Sequence, residues 1–173
     1  MSLSQKLVNN ISDHYVLQSN QRIIELTETK KNYSVTIRIS GNRNFLLIKN
    51  IEDLKQRYLP YTNGRFMPKD CDYILILEDK KEIFFFELKS EKQKCFRREK
   101  DDIITQLTSG EQWVRHLIFC STPNFLDIND FKMYFVAINK KSQTQCINEL
   151  TEEKNGKKFT FWNGCSFNLS EFK

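Results

Sequence analysis

Apolar positions near the start of the chain, Leu3, Leu7, Val8 and Ile11, recur at helical spacing and predict an amphipathic helix from Ser2 to about Leu17. Two β-rich runs follow, "RIIELTET" and "NYSVTIRIS", and the polar Lys30-Lys31-Asn32 between them predicts a hairpin. "NFLLIKN" reads as a third strand, and "IEDLKQRYL" as a helical turn that must stop before Pro60, because a proline disfavours α geometry in its predecessor. At the centre, a strand from Asp72 to Leu77, a turn Glu78-Asp79-Lys80-Lys81 and a return strand "EIFFFELK" ending at Lys89 form a second hairpin. Both of its strands are nearly continuous in apolar residues, as in the middle of a sheet covered on both faces. Ile103, Ile104, Leu107, Val114 and Leu117 predict a helix from Arg97 to about Leu117, weakened or broken at Gly110. "HLIFCS" and "KMYFVAIN" read as two further strands, and the polar tail from Gln143 holds "KFTFW" as an edge strand. The whole predicts one α/β domain, residues 1–173, built on a mixed sheet of four to six strands with helices on both faces.

Composition narrows this reading without changing it. A chain of 173 residues with 39% hydrophobic and 28% charged residues is globular and long enough for one substantial core. Fourteen phenylalanines point to aromatic-rich strands, while five glycines and three prolines exclude a collagen-like or linker-rich architecture. The five cysteines are scattered, with no CxxC pair, which argues against a disulfide framework or a zinc ribbon and fits a reducing, cytoplasmic setting. No apolar run reaches the roughly 18–20 residues of a bilayer span, and the apolar residues of "MSLSQKLVNNISDHYVL" are too dispersed for a signal peptide. No membrane partner is therefore expected. With 27 basic and 22 acidic residues the net charge is +5, so the placement of the bases matters more than their sum.

The candidate chemistry lies where the second hairpin ends. If its strands pair across the four-residue turn, Asp72 and Glu87 meet at one end, and Lys89 shares the side of Glu87 because strand side chains alternate. Two neighbouring carboxylates repel unless a cation lies between them, and a hard divalent ion with oxygen ligands answers that need. An ammonium beside a metal-bound water can orient that water, and the metal lowers the water's pKa, which are the parts needed to hydrolyse a phosphodiester. Lys92, Lys94, Arg97, Arg98 and Lys100 follow at once and would contact a nucleic-acid backbone. Plainer readings exist for each residue alone: an exposed Glu87–Lys89 ion pair, a strand-start Asp72, an ordinary helical Gln106 and a solvated basic run. Among other chemistries, the chain has no Gly-rich phosphate loop and only His14 and His116 as histidines, and Cys71 has no histidine to activate it.

The series Asp72, apolar strand and turn, Glu87-Leu88-Lys89 and then Gln106 on the next helix resembles the PD-(D/E)xK nuclease superfamily over residues 69–117. That resemblance implies a restriction endonuclease-like core: a central mixed β-sheet flanked by helices. It implies a Mg2+-dependent endo- or exonuclease acting on DNA, with Mn2+ able to substitute. The metal would be held by Asp72, Glu87 and the Leu88 carbonyl; Lys89 would activate water, and Gln106 would support the site or touch substrate. Family members serve bacterial or phage defence, restriction, recombination and repair, as homodimers or as subunits of larger nuclease complexes. The sequence departs from the pattern in offering Asp70 as a competitor of Asp72, which is preferred because it adjoins the strand. The first helix offers Gln5, Asp13 and Gln18 for the additional acid or amide common in the family, Glu25 is a substitute placed on a strand, and that role is unassigned. The alternatives are a non-catalytic nucleic-acid- or protein-binding module on a nuclease-like fold, or a partner protein whose basic segment meets an acidic surface.

Overall fold

The near-continuous apolar strands sort themselves into one large sheet, and the strands with strict alternation form a smaller one laid over it. The structure, a computed structural model, describes residues 2–28, 33–39, 44–58, 69–89, 99–121, 128–139 and 150–172. The large sheet has seven strands: β1 (Val16–Ser19), β4 (Phe45–Lys49), β5 (Tyr73–Leu77), β6 (Glu82–Lys89), β7 (Lys132–Asn139), β9 (Lys157–Asn163) and β8 (Leu150–Lys154), in that spatial order. The first four run antiparallel, β6, β7 and β9 are parallel, and β8 turns back along β9. The small sheet orders β10 (Ser166–Asn168), β3 (Tyr33–Arg38) and β2 (Ile23–Glu28).

Alternation along β6 divides the interior in two. Ile83 and Phe85 face a core shared with α1 (Leu3–Asn10), α2 (Ile51–Tyr58) and α3 (Lys100–Ser121). Phe84, Phe86 and Leu88 face the other way, onto Leu26, Val35 and Ile37 of the small sheet. Aromatic rings carry the packing across strands: Phe84 stacks on Tyr134 at 4.5 Å, and Phe85, Phe135 and Phe159 follow one another at 5.0 and 5.1 Å.

The α/β class and the mixed sheet are as the sequence implied, but the layering is not. The sheet holds seven strands rather than four to six, and the cores place the described α-helices on one face, while the 3-10 turn Leu169–Phe172 packs on the other. The expected first hairpin does form, as β2 and β3, but outside the central sheet. Its one-sided burial suits a cover with one wet face rather than a central position. The first helix ends at Asn10, not near Leu17, because Asn9, Asn10, Ser12 and Asp13 are poor helix formers and Val16 and Leu17 pair with β4. "HLIFCS" is the last turn of α3 rather than a strand, its Leu117, Ile118 and Ser121 continuing the buried helical stripe of Val114. "KFTFW" lies inside the sheet, in β9, and β8 is the edge. The helix also runs unbroken through Gly110. A Cβ there would overlap the Cys71 Sγ and lie 3.3 Å from Phe85 Cδ1, so the glycine is set by close packing and not by a kink.

Two predictions follow from this packing. Gly110→Ala gains up to about 1 kcal/mol of helix propensity but overpacks the α3–β6 contact, for a net loss of about 1–3 kcal/mol in denaturant unfolding. Adding Cys71→Ala removes the overlapping sulfur, so the double variant should be more stable than Gly110→Ala alone. The second concerns the turn between β5 and β6. The Glu78 carboxylate accepts from Leu3 N at 2.6 Å and Ser4 N at 3.0 Å, and so caps α1 from 75 residues away. Burial pushes the Glu78 carboxyl up, but these hydrogen bonds outweigh it and hold it below its usual range. Its contribution is then present at neutral pH and lost as pH falls through the depressed folded value. Glu78→Gln should cost about 1 kcal/mol at pH 7 and far less near pH 3.

Candidate active site

Register brings the predicted carboxylates together. β5 and β6 pair Tyr73 with Phe86 and Ile74 with Phe85, so the next pair outward is Asp72 with Glu87. Opposed residues of a strand pair point to the same face, here the face covered by α3. Asp72 Oδ2 accepts from Leu88 N at 2.7 Å. Since the N–H and C=O of one strand residue point toward the same neighbour, the Leu88 carbonyl faces the Asp72 side as well. Lys89 donates to Glu87 Oε1 at 2.7 Å and to Gln106 Oε1 at 3.2 Å. Gln106 is buried in the second turn of α3, whose inner face is tied down nearby by a Ser109 hydroxyl donated to Asp70. That bond also separates the two competing aspartates: Asp70 anchors the loop to the helix, and Asp72 shares the face of Glu87.

Glu87 is 3% exposed, and its second oxygen, Oε2, has no hydrogen-bond partner among the described residues. A buried, unpartnered carboxylate oxygen is costly and marks a place for a donor or a cation. Among the described residues Asp72 and Glu87 are not joined by a third Asp, Glu, His or Cys into a ligand cluster. Two carboxylates and a carbonyl, completed by water and substrate oxygens, fit Mg2+, which commonly binds through one or two carboxylates and retains water. A cleft of about 240 Å³ opens beside Asp72, with Glu28, Glu52, Asp53 and Asp70 on its wall.

Burial raises the pKa of Asp72; the Leu88 N–H opposes this, Glu28 adds to it, Lys89 opposes it and Glu52 adds to it. Burial likewise raises Glu87, with the Asp72 charge next and Lys89 opposing. Lys89 is depressed by its own burial but lifted more by Glu87, Asp72 and Glu99, so it stays charged. Two carboxylates against one ammonium leave one excess negative charge, and the metal-free pair retains a shared proton further into the neutral range than ordinary carboxylates do.

The remaining sequence candidates fall unevenly. Lys92, Lys94, Arg97 and Arg98 lie outside the described residues. Lys100 is described, and its ammonium is paired with Glu152 of β8 rather than standing free for phosphate. The acid left unassigned on the first helix has no counterpart there; Glu28, at the end of β2, is the carboxylate of the small sheet that lines the cleft. Asn139, at the end of β7 and beside Lys89 in register, was missed because a lone Asn closing an apolar strand carries no motif. No family model, curated protein or solved structure matches the chain.

The raised carboxyls bind a proton more tightly folded than unfolded. In chelator, the pair's own contribution to stability should therefore be greatest below the unfolded carboxylate range near pH 4, and fall as pH rises through the elevated folded values. Glu87→Gln should flatten this dependence, because the pair then lacks the second carboxyl that retains the proton. Thermal melts of both proteins from pH 5 to 8 check it, and a parallel decline in the two would refute the shared-proton account.

Proposed function

We propose that the protein is a Mg2+-dependent nuclease that hydrolyses DNA phosphodiester bonds on a restriction endonuclease-like core. The observation that carries this reading is the convergence of Asp72, Glu87, Lys89 and Gln106 on one face at one sheet end, with a buried Glu87 oxygen unpartnered. It is supported by the order in which the elements deliver them: Asp before β5, Glu87 and Lys89 at the close of β6, Gln106 on α3, and then the parallel β7. That is the order of the resemblance noted in the sequence.

A bound divalent cation supplies two things, a lowered pKa for coordinated water and positive charge against a phosphoryl oxygen. Asp72 and Glu87 would hold it, with the Leu88 carbonyl on the same side. Lys89 is the donor that would orient the attacking water and meet the charge gathering on the phosphate. Gln106 acts through Lys89: its carbonyl fixes where the ammonium sits. The basic residues 92–98 would grip the strand without reading its sequence. Mn2+ would substitute for Mg2+. A homodimer would present two such sites for both strands of a duplex; the alternative is a nuclease subunit within a larger complex.

The test incubates supercoiled, linear and single-stranded DNA with the protein in Mg2+, Mn2+ or EDTA, beside Glu87→Ala and Lys89→Ala. Cleavage should need the metal, and each variant that remains folded by circular dichroism should lose about two to four orders of magnitude in rate. DNA retained equally by all three proteins, with no cleavage in any condition, would replace this reading with the non-catalytic binding module.

A further inference from the structure

Asn139 is 1% exposed, closes β7 and stands in register with Lys89 of β6 across a parallel strand pair. Its side chain shares the face of Phe135, Ala137 and Glu87, at the same end of the sheet. On its other side, in β9, it pairs with Asn163, and its Nδ2 donates to Asn163 Oδ1 at 3.4 Å. An amide is planar, with its two heads diverging from one carbon. With Nδ2 turned toward β9, Oδ1 is the head left for a different neighbour, and the strand on the other side of β7 is the one that carries Lys89. That oxygen is buried and has no hydrogen-bond partner among the described residues. Lys89 meanwhile has two acceptors among the described residues, Glu87 and Gln106, although an ammonium has three N–H donors.

Two acceptors without a partner among the described residues, Glu87 Oε2 and Asn139 Oδ1, thus lie on adjacent strands at the sheet end that carries Lys89. Resting on the proposed function, we propose that Asn139 is a positioning residue, the second seat of the Lys89 ammonium when a divalent cation occupies the carboxylates. In the cation-free protein Lys89 neutralises Glu87. A cation needs that carboxylate and repels that ammonium, so Lys89, whose side chain is only 18% exposed, must move, and a nearby protein acceptor is favoured over a reach for solvent. Asn139 Oδ1 provides it one strand away, while Gln106 keeps its hold. No bond is made or broken; one hydrogen-bond partner is exchanged for another. The orphan carbonyl costs stability in the resting protein and lowers the barrier to loading the site.

The test is a double-mutant cycle read as Mg2+ affinity by calorimetry, with Asn139→Leu, Lys89→Met and the pair, in the full-length chain without DNA. Asn139→Leu should weaken Mg2+ binding about tenfold when Lys89 is present, because the ammonium then stays on Glu87. In the Lys89→Met background the same substitution should leave the affinity unchanged. Asn139→Asp, which keeps an acceptor of the same shape, should bind Mg2+ at least as tightly as the native protein. If Asn139→Leu does not fold, Asn139→Ala takes its place in the cycle. Equal weakening in both backgrounds would show a merely structural asparagine and overturn the inference, with the nuclease reading intact. No Mg2+ binding by the native chain would overturn the proposed function and this inference together.

Discussion

A one-residue slip between β5 and β6 would send Glu87 and Lys89 through the sheet, against the Leu26 and Val35 side, and bring Phe86 and Leu88 under α3. The hairpin register therefore carries the rest of the molecule. It is set by the turn Glu78–Lys80, closed by Lys81 in the left-handed region at φ 52°, with Lys81 N bonded to Glu78 O at 3.0 Å. It is reinforced by six consecutive buried residues from Ile83 to Leu88, which have large partners on both faces. The same turn offers the Glu78 carboxylate to the start of α1. One local conformation thus fixes a helix at one end of the hairpin and a pair of carboxylates at the other, roughly 17 Å away at 3.3 Å per residue.

With the register fixed, the helix face is what turns two strand ends into a site. Ser109 and Gly110 hold α3 down on Asp70 and Cys71, and Gln106 lies one turn earlier on the same face, over Lys89. The close approach that excludes a Cβ at position 110 is the approach that lets Gln106 reach the ammonium. Costs are concentrated at this end of the sheet: raised carboxyls, an unpartnered Glu87 oxygen and an unpartnered Asn139 oxygen. The aromatic ladder of Phe85, Phe135 and Phe159 supplies much of the apolar burial that lets the fold tolerate them.

How much of this was legible in the sequence depended on the range of the contact. The β5–β6 hairpin was readable because its strands are long, its turn is short and its charges fall at fixed positions of a period-two pattern. Asp72, Glu87 and Lys89 followed from that alone, and Gln106 from the resemblance. What failed was arbitration between helix and strand where sequence is locally neutral. "HLIFCS" has strand composition, yet the helix upstream already presents its buried stripe through Leu117 and Ile118. The small sheet was invisible because alternation shows one dry face but not which neighbour dries it. Asn139 and Glu28 reach the region of the site through pairings distant in sequence, which no spacing rule encodes.

The charge distribution bears on the order of events at the site. The chain carries a net charge of +5, but the cleft beside Asp72 is walled by Glu28, Glu52, Asp53 and Asp70. A phosphate approaching that wall without a cation meets like charge at short range, where a low dielectric magnifies the repulsion. A cation approaching without phosphate meets attraction from the carboxylates and repulsion from Lys89. Each partner removes what opposes the other: the cation cancels the acidic wall for the phosphate, and the phosphate gives the displaced ammonium something to face. On the proposed function their binding is therefore mutually reinforcing, and the two couplings are equal by linkage. On that reading, basic residues elsewhere would hold DNA near the chain without metal, but would not seat a phosphodiester between Glu87 and Lys89 while that pair neutralises itself.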